Sequence, residues 1–592
     1  MGNMIKNSYK MPKTRLDYTR SVHKYLRTHT TNMLTGLIYP LGFINMMPGD
    51  TAPKKFGLIL QSAPLLGPSF DNIYIDIISV WCPTRLVMRQ HNEWLGDNDS
   101  FAWTLNQNIA LPRITKMRCG VDQYGNKMSK SYYAEHYRAP HFGLRYFDDT
   151  TTSANSYYTL FNSITGSNSR YYSGIQVIPF RMYDIIYNKL FRNQNITNPV
   201  LFSTQTGTDL GVDISQYGTG GGKLYHACRL KNMFTTARLS PAIESVDVLA
   251  GIKAPVDVGA AHATSVGEHL TFNLSNGNAY GSGDRNLAVI NNFLGSTTSA
   301  SSSDLNNYIV PNNLYAQLAG LTVNSLYYSI MLQRYFNKAS TGRRPVEFYS
   351  EFFGIQSSEV GHDDPQLLSQ KRFKVDISRV PATANSTDIQ GHTQPIGSQG
   401  AFSVTGQGGI LFPDFTATEY GMIMVFGVIR TQESFASGID RYLSDSDLLS
   451  TYLPCFDHIG DIDVEGREFT DITYTNNNYI FGYQSAWYWY RHFINDVVGI
   501  CSPGEPLDYF TLARDWTFGG SGAFGVNDDF ILQYPHEFDR MLQFPVLYNP
   551  SGVACDIDGE PYQSVRYQWI IQFAVEGDFA RTMSKDSEQL LF

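Results

Sequence analysis

The stretch PFRMYDIIYNKLFRNQN, residues 179–195, is the best-specified local signal in the sequence. Its apolar residues recur at steps of three and four, which places them along one side of a helix. These residues are Phe180, Tyr183, Ile186, Tyr187, Leu190 and Phe191. The pattern predicts a surface helix that packs on a sheet and begins at Pro179, a residue that the first helical turn tolerates. The predicted solvent face carries Arg181, Asp184, Asn188, Lys189 and Arg192.

The composition of the chain favours a protein that buries much of its surface against other chains. Of the 592 residues, 42% are hydrophobic, 14% are aromatic and 17% are charged. The charged fraction is below the roughly 25% of an average globular protein, and interfaces are enriched in aromatic residues and depleted in lysine. A large extracellular β-protein is an alternative. The net charge of −9 argues against a dedicated nucleic-acid-binding protein, which would be basic.

The six cysteines are scattered and form no Cys-x-x-Cys pair. This spacing is typical neither of a zinc site nor of a disulfide-rich scaffold, so it predicts mostly free thiols in a reducing cytoplasm. The first residues, MGNMIKNSYK, lack the apolar region of a signal peptide. The sequence holds no uncharged apolar run of about 18 residues, and we expect no membrane insertion.

Residues 1–30 are predicted to form a basic N-terminal arm. This segment contains seven basic residues and only one acidic residue, Asp17. The basic residues are Lys6, Lys10, Lys13, Arg15, Arg20, Lys24 and Arg27. Because basic side chains neutralise phosphates and the neighbouring tyrosines can stack on unpaired bases, the arm is a candidate nucleic-acid contact. A solvated tail, or an arm that embraces a neighbouring subunit, is consistent with the same composition.

Predicted strands are spread over the whole length of the chain. The segment NIYIDIISVWC at 72–82 is the strongest, residues 419–430 are apolar on both faces, and residues 565–579 alternate cleanly. Further strands are predicted at 34–46 and 56–60, and further helices at 84–95 and 322–338. If the chain has one core, the first and last of these strands must lie together.

We therefore predict a mainly β fold, a single barrel or sandwich over residues 31–592, rather than separate domains. The strands are interrupted by predicted insertions at about 104–175, 200–320 and 431–563. No insertion shows a self-contained hydrophobic pattern, which is why we do not predict further domains.

Two segments imitate ligand-binding motifs. GTGGGKL at 218–224 resembles a phosphate-binding loop, but Tyr217 replaces the first glycine and Leu224 replaces the Ser or Thr that follows the lysine. Asp461, Asp463 and Glu465 resemble the start of a calcium loop, but the closing acid is replaced by Ile472. We interpret the second segment as a solvated acidic turn. No HExxH or GxSxG motif is present, and we predict no catalytic residue, metal or cofactor.

The string at 179–195 resembles a helix of the major capsid proteins of the Microviridae, and the gokushovirus-like branch is the most similar. Other segments resemble motifs of that family in the same order. They are 48–51, 70–99, 229–241, 322–359, 420–430, 457–464, 481–499 and 527–535. The chain departs from the family pattern in its longer segments 104–175 and 243–320 and at Asn232-Met233.

The resemblance implies a single eight-stranded viral jelly roll whose copies form a T=1 icosahedral shell around circular single-stranded DNA. It implies an exposed protrusion at about 241–311 as the candidate host-receptor surface. Implied partners are an internal scaffold protein, a pilot protein and a small basic DNA-binding protein. The chain would lie in the virion capsid and assemble in the host bacterial cytoplasm. Arg181, Lys189 and Arg192 would then lie at a subunit boundary or on the DNA-facing wall.

Two other functions remain open at this point. A carbohydrate-binding or carbohydrate-cleaving β-protein would also have aromatic loops, and cleavage would need two carboxylates about 5–9.5 Å apart. No such pair stands out in the sequence. A bacterial surface adhesin is disfavoured by the missing signal peptide.

Overall fold

The computed structural model describes somewhat more than half of the chain. The described residues are 20–95, 111–119, 130–144, 171–172, 174–240, 254–255, 315–316, 327–332, 335, 354, 364–381, 386–387, 393–394, 399–444, 451–457, 460–468, 480–514, 526–543 and 567–583. The chain separates into two units, Met1–Pro241 with Gly342–Phe592, and Ala242–Thr341. In the second unit Ala254–Pro255 pairs with Tyr315–Ala316; the remainder of the predicted protrusion at 241–311 lies outside the described residues.

Eight strands of the described part of the first unit form two antiparallel sheets. They are β1 Ser21–Met33, β2 Tyr39–Met46, β3 Lys55–Ser62, β4 Ile73–Pro83, β5 Gln366–Lys374, β6 Val404–Ile410, β7 Gly421–Thr431 and β8 Trp569–Arg581. One sheet has the order β1–β8–β3–β6 and the other β5–β4–β7–β2. Consecutive strands lie in opposite sheets except β4 and β5, which pair with each other, and this is the arrangement that Greek-key connections produce in a jelly roll. The prediction of a mainly β, jelly-roll fold is confirmed.

The remaining elements are short and lie in the connections. The α-helices are α1 His91–Leu95, α2 Lys130–His136, α3 Ile178–Ile186, α4 Gly211–Tyr217, α5 Arg441–Ser444, α6 Tyr488–Arg491, α7 Asp528–Ile531 and α8 His536–Asp539. A π-helix spans Tyr187–Phe191, and 3-10 helices span Thr84–Leu86, Ala139–Phe142, Pro454–Phe456, Gly466–Glu468, Gly499–Cys501 and Asp508–Phe510. Short strand pairs are Arg113–Ile114 with Ile175–Gln176, Met117–Arg118 with Tyr171–Tyr172, Ser378–Pro381 with Gln399–Phe402, Ser386–Thr387 with Thr393–Gln394, and Asp461–Glu465 with Ile480–Ser485. Within the described ranges, no helix has the length and apolar character needed to cross a membrane.

Strands β1 and β8 pair along their whole length, from Ser21 opposite Arg581 to Met33 opposite Trp569. Residues near the two ends of the chain therefore lie side by side. Both sheets contribute to one core, which includes Leu60 and Ile423. The prediction that the early and late strands share a core is confirmed.

The pairing of β1 also corrects the predicted N-terminal arm. Residues 1–30 cannot all form an arm, because Ser21–Met33 is a strand of the jelly roll. Its exposed and less exposed residues alternate, but Lys24, Arg27 and the basic residues that precede the strand concealed it in the sequence. Residues 1–19 lie outside the described part of the chain.

The helix predicted at 179–195 is present and covers the second sheet. The helix α3 begins at Ile178 and continues into the π-helix Tyr187–Phe191. The rings of Tyr183 and Phe191 lie 5.7 and 5.5 Å from the ring of Phe426 in β7. The predicted solvent face is wrong for Arg181 and Asp184, both 0% exposed, because the insertions cover that face.

Two small hydrophobic cores lie outside the jelly-roll core, between the insertions. One contains Ile114, Met117, Tyr133, Tyr137, Val177, Phe180 and Tyr217. The other contains Met233, Phe234, Phe435, Val464, Phe481, Tyr488, Val526, Phe530 and Ile531. Each is assembled from separate segments, so no single insertion displays its pattern.

Candidate functional site

The structure separates the basic residues that were predicted to contact nucleic acid. Arg20 and Lys24 are exposed, and Lys24 lies opposite Asp578 in the β1–β8 ladder. Arg27 lies on the other side of the strand, because side chains alternate. Its guanidinium is 4.0 Å from the ring centroid of Phe43 and donates to the Phe43 carbonyl oxygen at 3.2 Å. Lys6, Lys10, Lys13 and Arg15 lie outside the described residues.

A buried ion pair fastens α3 to two insertions. Arg138 Nη1 donates to Asp184 Oδ1 at 2.7 Å. The guanidinium lies 4.2 and 4.3 Å from the ring centroids of Tyr183 and Tyr225. The hydroxyls of Tyr217 and Tyr225 also donate to the carboxylate. Burial raises the pKa of Asp184, whereas Arg138 and the hydroxyl donors oppose that rise.

Arg181 forms a second buried link. Its Nη2 donates to Asp213 Oδ2 at 2.5 Å, with the two side chains 0% and 1% exposed. Its Nη1 donates to the carbonyl oxygens of Val87 and Gln205 at 3.1 and 2.9 Å. Arg181 is therefore unavailable to DNA or to another subunit, which corrects the expectation for this residue. Lys189 pairs with Asp364 at 2.7 Å.

The glycines of the GTGGGKL segment are required by packing. Gly220, Gly221 and Gly222 have φ values of +60°, +72° and +89°, and a Cβ at Gly221 would lie 2.2 Å from Phe180 Cε1. Their N–H groups donate to the carbonyl oxygens of Arg118, Tyr217 and Thr219 respectively. A phosphate-binding loop presents free N–H groups to its ligand, whereas these three N–H groups are already bonded within the chain. The segment is therefore a tight turn packed against aromatic rings and not a phosphate-binding loop.

The buried carboxylate of Glu433, the partly buried carboxylate of Glu537 and two arginines join distant segments of the chain. Arg229 donates to both carboxylate oxygens of Glu537, with Nη1 at 2.8 Å from Oε2. Arg514 Nη1 lies 3.6 Å from Glu537 Oε1 and 4.0 Å from Glu433 Oε1. Burial raises the pKa of Glu433 and lowers that of Arg514 to about 10. Each carboxylate is held against a guanidinium and away from solvent, so the cluster supports a structural role.

The acidic segment at 461–465 is a strand, so the prediction of a solvated turn there is wrong. Its acids pair with arginines: Asp461 with Arg238, Asp463 with Arg441, and Glu465 with Arg467. In the described part of the chain, no group of three or more His, Cys, Asp or Glu residues could hold a metal ion.

The described cysteines are free thiols, as predicted. They are Cys82, Cys119, Cys228, Cys455 and Cys501. Burial raises the pKa of Cys119 to about 12, which keeps this thiol protonated and unreactive.

A groove of about 600 Å³ lies between segments 435–443 and 489–498. It was missed in the sequence, although the aromatic run WYWYRHF at 487–493 is a signal that could have indicated it. Phe493 on its wall is 91% exposed. The groove is an apolar surface feature of the insertions, outside the jelly-roll sheets.

Comparison with known proteins agrees with this architecture. The family model described as "Capsid protein (F protein)" matches residues 148–551, more than half of the chain. The chain is 24% identical over 504 residues to capsid protein VP1 of Spiroplasma virus 4, covering 83% of each chain. It is 24% identical over 487 residues to capsid protein VP1 of Bdellovibrio phage phiMH2K, covering 81% of this chain and 82% of that protein. It is 22% identical over 598 residues to capsid protein VP1 of Chlamydia phage 1, covering 90% and 91% of the two chains.

The matches extend across the sheets as well as the insertions, and they agree with the jelly-roll topology and with the resemblance seen in the sequence. The chain belongs to the F-protein family of phage capsid proteins, of the Microviridae type, and its role is that of a structural major capsid protein.

Proposed function

We propose that copies of this chain form a T=1 icosahedral shell that encloses circular single-stranded DNA. The observation that carries the proposal is the jelly roll in a chain of a capsid family. Different surfaces of such a subunit meet in heterologous contacts, which close into rings when the rotation between copies closes. The shell would assemble in the cytoplasm of the host bacterium without any catalytic step by this chain.

The charge of the chain bears on how it would enclose DNA. A net charge of −9 per subunit repels a polyanion, so cationic groups must lie between shell and genome. Lys6, Lys10, Lys13 and Arg15 precede β1 and provide such groups. A small basic DNA-binding protein would supply the remaining positive charge. An internal scaffold protein and a pilot protein would complete the assembly.

The protrusion predicted at about 241–311 is the proposed host-contact surface. This segment is rich in Gly, Ser, Asn and Thr, a composition typical of exposed loops that vary without affecting a core. It falls almost entirely in the unit Ala242–Thr341. Exchange of its sequence would therefore change attachment to the host and leave shell assembly unaffected.

Particles purified from infected cells test this proposal. We expect nuclease-resistant circular single-stranded DNA to co-sediment with the chain. We also expect a variant with residues 260–305 replaced by those of a related capsid protein to give normal particle yield but altered adsorption to cells. Particles without protected single-stranded DNA would overturn the genome assignment, and unaltered adsorption of the exchanged variant would overturn the host-contact assignment.

A further inference from the structure

Segment 130–144, which contains α2 and the 3-10 helix that follows it, lies against the side of the jelly roll where β1 and β2 are the edge strands. On β1, Asn32 Nδ2 donates to Glu135 Oε1 at 2.5 Å. On β2, the ring of Phe43 lies 5.8 Å from the ring of Phe142. An edge strand carries unpaired backbone N–H and C=O groups that can pair with another chain. The segment therefore contacts two such edges at once.

A pair of histidines joins β1 to this segment. His29 Nε2 lies 3.3 Å from His141 Nδ1, and the two rings meet edge to face with 5.6 Å between their centroids. The ring of Tyr39, on β2, also meets the buried ring of His141 edge to face, at 5.3 Å. The hydroxyl of Tyr39 donates to the carbonyl oxygen of Glu135 at 2.7 Å. The histidine pair therefore lies where β1, β2 and segment 130–144 meet.

The hydrogen bonds of His141 fix where the protons lie in this pair. Its Nε2 is 2.9 Å from the carbonyl oxygen of Ala134, which can only accept, so this nitrogen carries a hydrogen. In a neutral imidazole the other nitrogen then has none. His141 Nδ1 is therefore the acceptor in the pair, and His29 Nε2 is the donor. A proton added to His141 Nδ1 would place two N–H groups head to head.

The titratable groups that face the pair give little compensation for added positive charge. Arg27, on the same strand as His29, is a like charge and disfavours protonation of that histidine. Glu135 is the only carboxylate in the sequences of β1, β2, α2 and the 3-10 helix, and its Oε1 already accepts from Asn32. Tyr39 carries no charge, because burial raises the pKa of its hydroxyl. Burial also lowers the pKa of both histidines, so the pair is held in its neutral form.

The short helices of segment 130–144 depend on its contacts with the rest of the fold. The helix α2 has seven residues and the 3-10 helix has four, and helices of this length are marginal in water. The N–H groups of Tyr137 and Leu144 donate to the carbonyl oxygens of Tyr133 and Ala139, within the segment. Loss of the contacts with β1 and β2 would therefore let these N–H groups exchange with solvent.

We propose that the contact between His29 and His141 is a proton-sensitive latch that holds segment 130–144 against β1 and β2. Proton uptake by the pair breaks the contact and releases the segment, while the two sheets stay paired. Mild acid then uncovers the edges of β1 and β2 without unfolding the jelly-roll core. The latch does not depend on the proposed shell, because every group in it belongs to one subunit.

Hydrogen–deuterium exchange of the full-length subunit at pH 7.5 and pH 5.0 tests the latch, with rates corrected for the intrinsic effect of pH. We expect the protection of amides in 131–144 to fall by about tenfold or more at pH 5.0, because the released segment binds protons that the closed one excludes. The protection of amides in β4 and β7 should stay unchanged. Unchanged protection in 131–144, or an equal loss in β4 and β7, would overturn the proposal.

The variant His29→Gln separates the latch from a general effect of acid. A glutamine side chain can donate its amide N–H to His141 Nδ1, and it can turn to accept from that nitrogen when His141 is protonated. The contact should therefore survive proton uptake. We expect amides in 131–144 of this variant to keep at pH 5.0 the protection that they have at pH 7.5.

The variant His23→Gln is the matched control. His23 lies on the same strand as His29, and its ring Nε2 is 2.9 Å from the hydroxyl oxygen of Ser21 rather than at the contact with segment 130–144. This variant should lose protection in acid as the parent chain does. If His29→Gln also loses protection as the parent chain does, the histidine pair is not the latch and the proposal is wrong.

Discussion

Arg138 donates to Asp184 across 2.7 Å in a site where the two side chains are 1% and 0% exposed. The face of α3 that was expected to contact solvent therefore contacts the segments that contain Arg138 and Tyr217. Every polar group that α3 turns in this direction finds a charged or hydroxyl partner, which is the condition for burying it. The helix is thereby linked to the segments that contain Arg138 and Tyr217.

Asp184→Asn is expected to destabilise the subunit by about 3–5 kcal/mol, because it leaves the buried guanidinium of Arg138 without its counter-charge. Equilibrium urea unfolding of the dissociated subunit measures this change. The matched control is Asp414→Asn, which removes the exposed pair with Lys54, where the side chains are 42% and 81% exposed. The control should cost about 0–1 kcal/mol, and equal losses for the two variants would contradict the assigned role of Asp184.

Some strands could be predicted from the sequence and others could not, because only some of them have a recognisable local pattern of apolar residues. Strand β7 is apolar on both faces and β8 alternates from Trp569 to Glu576, so local sequence was sufficient to predict both. Strand β1 was mistaken for an arm because Lys24 and Arg27 lie within it and continue the run of basic residues that precedes it. Its assignment depends on pairing with β8, more than 500 residues away in the chain, and no local pattern contains that information.

The same reasoning applies to the candidate site. The apolar periodicity of α3 predicted its helix, but its polar residues gave no sign that Asp213 and Arg138 would meet them in the fold. The glycines at 220–222 were correctly separated from phosphate-binding loops by their spacing, whereas their packing against Phe180 could be seen only in the structure. The groove was missed because its two walls come from separate segments.

Gly221→Ala is expected to destabilise the subunit by about 2 kcal/mol or more, since φ is +72° and the new Cβ would meet Phe180. Thermal unfolding of the variant measures the loss. Gly57→Ala is the control, because nothing lies within 4 Å of the Cβ position there, and a change within about 0.5 kcal/mol is expected. A tolerated alanine at Gly221 would show that the turn is not sterically required.

Because of the buried His141 and the partly buried His29, we expect the subunit to lose stability in acid. His29 Nε2 lies 3.3 Å from His141 Nδ1. Burial, assisted by Arg27, lowers the pKa of His29 from 6.5 to about 4. Burial, assisted by His29, lowers the pKa of His141 from 6.5 to about 3.

The sign of the effect follows from proton uptake. Below pH 6.5 the unfolded chain binds protons at these histidines, whereas the folded chain excludes them until about pH 4 and about pH 3. Stability should therefore fall as pH decreases through this window, by up to about 1.4 kcal/mol per pH unit for each histidine. His29→Gln should make the acid limb of a stability–pH curve shallower, and the exposed His492→Gln should not. Identical acid limbs for the parent chain and His29→Gln would contradict the prediction.

The N-terminal basic residues are expected to affect packaged DNA without affecting the fold. Deletion of residues 1–19 removes Lys6, Lys10, Lys13 and Arg15 but leaves β1 complete, so particles should form with less DNA. Deletion of residues 1–27 also removes the first half of β1 and should abolish soluble subunit. The ratio of ultraviolet absorbance at 260 and 280 nm in purified particles measures the DNA content. If the ratio is unchanged after deletion of residues 1–19, these residues do not contribute to DNA packaging and the prediction is wrong.

Electron cryo-microscopy of particles purified from infected cells tests the central claim most directly. The account predicts a closed T=1 shell in which every subunit shows the two four-stranded sheets in the orders β1–β8–β3–β6 and β5–β4–β7–β2. Particles whose shell is built from another chain, or a chain that remains monomeric in infected cells, would contradict it.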